Sequence, residues 1–308
     1  MTAKAIEVSD LTKRYGKLVA VDHLNFHVGA GEIFGFLGPN GAGKTTTLRM
    51  LTGIIRPDEG TAAILGHDVV KDNLDAKQVR GVVPEMANAY VDMSAWRNLL
   101  LTGELYGIPK KVAEARAEAL LRQFGLLDKK DQAVKGFSKG MKQRLIICMA
   151  LVSQPPLLFL DEPTSGLDVE SSRLIKEIIR DLNKTGTTVF LTTHNMEEAS
   201  QLCDRVAIID RGRIVAIDSP EKLKAQSKGL QSIEVSFDRR FDVSSIAVSD
   251  VTRIVEAGDK LRIYTGNPDA VIKRLVGYAE DHGLRIVALN LVAPSLEDVF
   301  VELTRKEP

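Results

Sequence analysis

Gly38-Pro39-Asn40-Gly41-Ala42-Gly43-Lys44-Thr45 follows the apolar run Ile33-Phe34-Gly35-Phe36-Leu37 and leads into a helical pattern from Thr46 to Thr52. The octet has the spacing G-x-x-x-x-G-K-[ST], that of a phosphate-binding loop. Phosphate chemistry demands these residue types. Glycines let the chain wrap so that backbone N–H groups point inward, and the helix that follows adds its positive end. Lys44 brings a mobile charge for β- and γ-phosphates, and Thr45 a hydroxyl for Mg²⁺. At ordinary glycine usage such a match arises by chance in roughly one chain in a hundred. A strand before it and a helix after it lower that chance, so a mere glycine-rich turn is the weaker reading.

Two further runs, Leu157-Leu158-Phe159-Leu160 and Thr188-Val189-Phe190-Leu191, read like the one before the loop. All three have the apolar-on-both-faces character of buried parallel strands, and each leads into a polar turn and a helix. Residues 1–220 are therefore expected to form an α/β domain. Residues 91–152 within it are mostly helical, with strong helix formers from Ala113 to Leu121. Asp161-Glu162 closes the second run. An acid at a buried strand end can hold a metal directly or through water, and a second carboxylate beside it can polarise an attacking water.

The chain has 308 residues, enough for about two domains, with 41 basic and 41 acidic side chains. That balance excludes a strong global positive field as the route to nucleic acid. A hydrophobic fraction of 44% and a charged fraction of 27% are those of a globular chain rather than a disordered one. Two cysteines cannot build a disulfide framework or a four-thiolate zinc site, so Cys148 and Cys203 read as reduced thiols of an intracellular protein. The longest apolar run, Leu145 to Val152, is far short of a membrane span. The first residues lack the apolar stretch of a secretory signal. Any membrane role is expected to be borrowed from a partner.

Composition changes after Asp218-Ser219-Pro220, and residues 224–229 read as a polar linker. A small α+β domain is expected over 221–308, with strands at 231–237, 251–256, 260–265 and 284–291. One helix spans 268–281, capped by Asn267, with Val271, Ile272, Leu275, Val276 and Ala279 on one stripe. Ser295-Leu296-Glu297-Asp298 has capping-box spacing, and the final helix is expected to bury Leu296, Val299, Phe300 and Leu303. From Lys228 onward 11 basic residues meet 13 acidic ones, so this is not a basic arm.

Taken together, residues 4–220 resemble the nucleotide-binding subunits of ATP-binding cassette (ABC) transporters. Phe137-Ser138-Lys139-Gly140-Met141-Lys142-Gln143-Arg144 resembles the ABC signature, and Ser165-Gly166-Leu167-Asp168 the D-loop that follows the acidic pair. His194 stands where the family has its switch histidine, and Lys13-Arg14-Tyr15-Gly16 resembles the segment whose aromatic residue stacks on adenine. Pro294 to Phe300 is similar to the closing segment of exporter-type subunits.

The resemblance implies ATP and Mg²⁺ as cofactors, with the loop from Gly38 to Thr45 and Thr46 on the phosphates. Tyr15 would stack on the base, and Thr45, Asp161 and Glu85 would serve the metal. Lys44, Glu162 and His194 would be catalytic, Glu162 as general base or water-orienting group. Ser138 and Gly140 would face the γ-phosphate held by a second copy, so the working unit is a homodimer with two nucleotides sandwiched. A separate transmembrane permease would dock on the helical segment 91–152, placing the protein on the cytoplasmic face of the membrane, without nucleic acid. A soluble ABC-type ATPase of DNA repair or translation is the alternative. Long heptad arms and a second cassette, which such proteins carry, are missing here. An inactive regulatory module is disfavoured by the presence of Lys44, Asp161, Glu162 and His194. Two departures stand out. The family's usual Leu-Ser-Gly-Gly-Gln is Phe137-Ser138-Lys139-Gly140-Met141, and Glu85 falls where glutamine is usual. A carboxylate accepts but cannot donate, so Glu85 is expected to reshape Mg²⁺-ATP coordination.

Overall fold

A computed structural model describes residues 3–86, 89–226, 231–239, 251–258 and 260–305. The chain divides into two compact units, Met1–Ser219 and Pro220–Pro308.

The first unit opens with two long strands, β1 (Lys4–Tyr15) and β2 (Leu18–Gly29), paired antiparallel. Next come β3 (Ile33–Leu37), α1 (Lys44–Leu51), β4 (Glu59–Ile64), β5 (His67–Asp68), α2 (Asn73–Gln78) and β6 (Arg80–Val83). β4 returns to pair with β1, giving an antiparallel sheet of order β2-β1-β4-β5. The α/β domain expected over residues 1–220 thus begins with an antiparallel sheet. Asp10 and His23 take left-handed φ angles of 49° and 50°, and the register slips beside them. Such bulges break the two-residue period that would have marked the strands.

Three helices follow, α3 (Ala95–Leu105), α4 (Lys110–Gln123) and α5 (Lys139–Leu151), as the pattern over 91–152 predicts. The chain then returns through β7 (Leu157–Asp161), α6 (Val169–Lys184), β8 (Thr188–Thr193), α7 (Met196–Leu202), β9 (Arg205–Asp210) and β10 (Arg213–Asp218). The second sheet has the order β10-β9-β3-β8-β7-β6 and is parallel except for β10. β3, β8 and β7 are neighbours, so the segments leaving their carboxyl ends lie side by side. Those segments carry the glycine loop, His194 and Asp161-Glu162. In open α/β sheets that edge is where ligands bind.

One core serves both sheets. Phe26 of β2 lies 5.7 Å from the rings of both Phe34 and Phe36, and Phe159 lies 5.5 Å from Phe190. Leu48, Met50 and Leu51 of α1 are buried in the same cluster, so the helix behind the glycine loop is anchored. Cys148 and Cys203 are buried free thiols, and burial pushes both well up from the ordinary thiol value. Arg80 is buried and donates to Leu51 O at 3.1 Å and to Thr52 O, two carbonyls at the end of α1. The low-dielectric surroundings lower its guanidinium to about 10.

The second unit comprises α8 (Pro220–Gln226), β11 (Ser232–Phe237), β12 (Val251–Ala257), β13 (Lys260–Thr265), α9 (Pro268–Asp281), β14 (Ile286–Val292) and α10 (Leu296–Arg305). Its sheet is antiparallel, of order β12-β13-β11-β14. α9 covers one face, burying Val271, Leu275 and Ala279 against Ile233, Val235 and Ile263. Val276, expected on that stripe, is exposed. It lies one residue past Leu275, about 100° round the helix from it. Of the linker expected over 224–229, residues 224–226 are instead the end of α8, which buries Leu223 and pairs Lys224 with Glu221; the remainder lies outside the described residues. Ser295 and Asp298 cap α10 reciprocally, and Tyr264 donates to Asp298 Oδ1 at 2.8 Å. Leu296 and Val299 are buried, while Phe300 and Leu303 are only partly covered.

Arg80→Ala leaves two buried carbonyls at the end of α1 without their donor. Chemical denaturation is expected to show a loss of about 3 kcal/mol, and Arg80→Lys to recover part of it.

Candidate active site

The helix after the glycine loop is capped by Gly43, with φ 111° and no side chain to accept from the first-turn amides. The helices α5, α6 and α7 differ, for Ser138, Asp168 and Asn195 each accept from a first-turn N–H. The start of α1 thus keeps its donors for an anion. No other residue fits at Gly43, since a Cβ there would lie 2.7 Å from Ala20 O as well as being strained at that φ. A Cβ on Gly38 would lie 2.3 Å from Ile209 O.

Lys44 is buried, and its ammonium donates to Gly38 O at 2.7 Å and Pro39 O at 3.1 Å. Its third neighbour is Glu162 Oε1 at 3.5 Å. The other carboxylate oxygen, Oε2, lies 2.8 Å from His194 Nδ1. Glu162 therefore stands between the lysine that starts α1 and the histidine that follows β8. It does so with a left-handed φ of 49°, rare for a residue with a side chain. The strain is held by its own N–H, which donates to Thr192 O at 3.1 Å and Thr192 Oγ1 at 3.2 Å.

Asp161 is buried just behind, accepting from the Thr192 hydroxyl at Oδ1. Burial raises its carboxyl above the usual carboxylate range; Thr192 and Lys44 oppose that, and the negative fields of Glu85 and Glu162 add to it.

These groups border one open cleft of about 560 Å³. Asn40, Gly41, Gly43, Lys44, Thr45 and Thr46 line its phosphate end together with Glu85, Glu162 and His194. Tyr15, half exposed at the end of β1, lines the other end with Leu18 and Val19. Of the remaining expected residues, Gly38 and Pro39 turn their carbonyls to Lys44, Ala42 is packed inside, and Asp161 sits behind the wall. Ser138 and Gly140 lie elsewhere, at the start of α5, and do not line the cleft.

The sequence reading missed Leu18, Val19, Ala20, Arg211 and Gly212, which also line it. Backbone bonds place them there. Gly212 N donates to Ala42 O, and Gly212 O accepts from Asp22 N, both at 2.9 Å. A local trace of the last two is the polar Asp210-Arg211-Gly212-Arg213 stretch between two apolar runs, which turns with left-handed φ at Arg211 and Gly212.

A glycine loop at the end of a central parallel strand, with an acidic pair on a nearby strand, defines a phosphate-loop nucleoside triphosphatase. Comparison with known proteins narrows this. Residues 21–165 match the family model "ABC transporter", and residues 219–304 match "ATP-binding protein DrrA1-3-like, C-terminal domain". The Nod factor export ATP-binding protein I of Ralstonia nicotianae is 38% identical over 98% of this chain and 94% of its own length. The linearmycin resistance ATP-binding protein LnrL of Bacillus subtilis is 36% identical over 97% of this chain and 98% of its own. Among solved structures, an ATP-binding subunit of an ABC transporter superposes with a TM-score of 0.67 at 30% identity, covering 72% of this chain and 92% of that one. The chain belongs to the ABC transporter family, as an ATP-binding subunit whose ATP hydrolysis drives transport. Among the described residues, no helix is long and apolar enough to cross a membrane.

Asp161 has a folded-state affinity for its proton that exceeds the unfolded one, so its ionisation costs stability that is absent at acid pH and grows as pH rises through the raised value. Asp161→Asn, which keeps an acceptor for Thr192, is expected to be more stable than the parent at pH 7 without nucleotide. Urea titrations between pH 4 and 7 should show that advantage shrinking toward the acid end.

Proposed function

We propose that this chain is the motor of an exporter, binding Mg²⁺-ATP in the cleft described and closing on a second copy of itself to hydrolyse it. The observation that carries this reading is the convergence of Lys44, Glu162 and His194 at the open N-terminus of α1. Tyr15 offers a ring for the base, and the α1 amides and Lys44 receive the phosphates. An arriving γ-phosphate replaces Glu162 as the partner of Lys44, which frees the carboxylate to orient and deprotonate the attacking water. His194, already bonded to Glu162, holds that carboxylate and reaches the terminal phosphate.

The donor set suits Mg²⁺. Thr45, Asp161 and Glu85 offer only oxygens, and the mutual repulsion of Asp161, Glu85 and Glu162 is relieved by a cation. No group of three or more His, Cys, Asp or Glu side chains is arranged as a cage among the described residues. Magnesium keeps waters and phosphate oxygens among its ligands. When bound, it would neutralise charge on the β- and γ-phosphates.

Ser138 and Gly140 lie outside the cleft, as they should if they serve the nucleotide of a twin. A second groove, of about 510 Å³ on the helical segment, is lined by Met93, Arg97, Leu100, Leu101, Glu104 and Ile108. Its apolar floor and charged rim suit a cytoplasmic loop of a permease, which would hold the protein at the inner membrane face. The printed names of the relatives, one for Nod factor export and one for linearmycin resistance, support the outward direction.

Glu162→Gln is expected to lower kcat at least a hundredfold while leaving ATP binding intact, and to accumulate a nucleotide-bound dimer by analytical ultracentrifugation. Retained turnover, or a monomer at saturating Mg²⁺-ATP with the permease present, would refute the scheme. Glu85→Gln is expected to shift the Mg²⁺ concentration for half-maximal ATPase rate; superimposable titrations would dispose of a metal role for Glu85.

A further inference from the structure

The loop between β7 and α6 is gripped by two charged side chains that the reaction scheme does not use. Lys139, in the first turn of α5, donates from Nζ to Ser165 O at 2.9 Å. Its ammonium occupies the place a Cβ on Gly166 would need, 2.3 Å away. The second is Glu198 of α7, only 3% exposed. Its Oε1 accepts from Thr164 Oγ1 at 2.6 Å and its Oε2 from Thr193 Oγ1 at 2.9 Å. Thr193 immediately precedes His194. We propose that Lys139 and Glu198 are positioning residues that clamp the loop Thr164–Asp168 at two adjacent residues, so that the tip of α5, this loop and His194 hold one fixed arrangement.

The chemistry of each side chain favours this over a bland role. A cation in the first turn of a helix opposes the helix dipole, so Lys139 is not there to support α5. A carbonyl acceptor on a neighbouring loop gives its charge a partner. The start of α5 also abuts that of α6, for a Cβ on Gly140 would lie 2.3 Å from Ser171 Oγ. Glu198 is a buried carboxylate with one oxygen committed to a hydroxyl of the loop after β7 and the other to a hydroxyl at the end of β8. Burying such a group is costly unless its oxygens are satisfied. Here the satisfaction comes from the two segments that must stay in register. The departure at Lys139 from the family's usual glycine thereby gains a physical account. Its consequence for turnover rests on the two-chain reading above, whereas the clamp itself does not.

Hydrogen exchange in the nucleotide-free protein tests the clamp alone. The Ser165 and Leu167 amides, bonded to Glu162 O and Thr164 O, report opening of the loop. Lys139→Ala and Thr164→Val are each expected to speed their exchange about tenfold, and Lys139→Arg to restore the parent rate. Steady-state kinetics then test positioning: Lys139→Ala should lower kcat several-fold with KM for ATP unchanged, and Lys139→Arg should recover it. Unchanged exchange in both variants overturns the clamp, and faster exchange with unaltered kcat overturns its role in catalysis. A Glu162→Gln protein that fails to dimerise would count against the two-chain reading while leaving the exchange result standing.

Discussion

An ammonium group removed from water must find acceptors on every side, and the Lys44 ammonium is such a group. Two carbonyls of its own loop and the carboxylate of Glu162 provide them. That requirement draws the ends of β3 and β7 together, and His194 joins from β8 through the same carboxylate. Neighbouring strands in a parallel sheet make the meeting possible, because their carboxyl ends share one edge. The phenylalanine cluster beneath keeps the strands in place, and Arg80 fixes the far end of α1. Much of the first unit can be read as support for one buried positive charge that waits for a stronger anion.

Helix starts in the first unit differ in how their first-turn donors are used. Where a polar side chain caps the first turn, as at Ser94, Ser138, Asp168 and Asn195, an N–H donor is already used. At α1 a glycine leaves those donors open. Capping residues normally add stability; α2 and α4 also start without a side-chain cap, but α1 alone among these three follows a glycine loop at the end of a central parallel strand. Glu162 keeps a left-handed conformation of its own, held in place by Thr192.

Features written in contiguous residues were legible without coordinates. The glycine loop, the buried parallel strands, the helical segment and the capped helices of the second unit each combine a local period with a local punctuation. Features made by distant segments were not. The bulges at Asp10 and His23 hid the period of β1 and β2, so the antiparallel sheet went unread. Arg211 and Gly212 reach the cleft through backbone bonds to Ala42 and Asp22, which no spacing rule records. α8 is short and polar, and a single buried leucine distinguishes it from a linker. Lys139 was visible as an oddity in its motif, but its partner, Ser165 O, lies 26 residues further on and became apparent only in three dimensions.

The two native thiols have a practical consequence. Thiolate is the reactive form of cysteine, and both Cys148 and Cys203 are shut inside the protein with their ionisation suppressed. A cysteine introduced at the surface would stand as the sole readily alkylated group. Spin or fluorescent probes could then be attached at chosen places on the native background, and the approach of one molecule to another followed by distance, with no prior removal of natural cysteines.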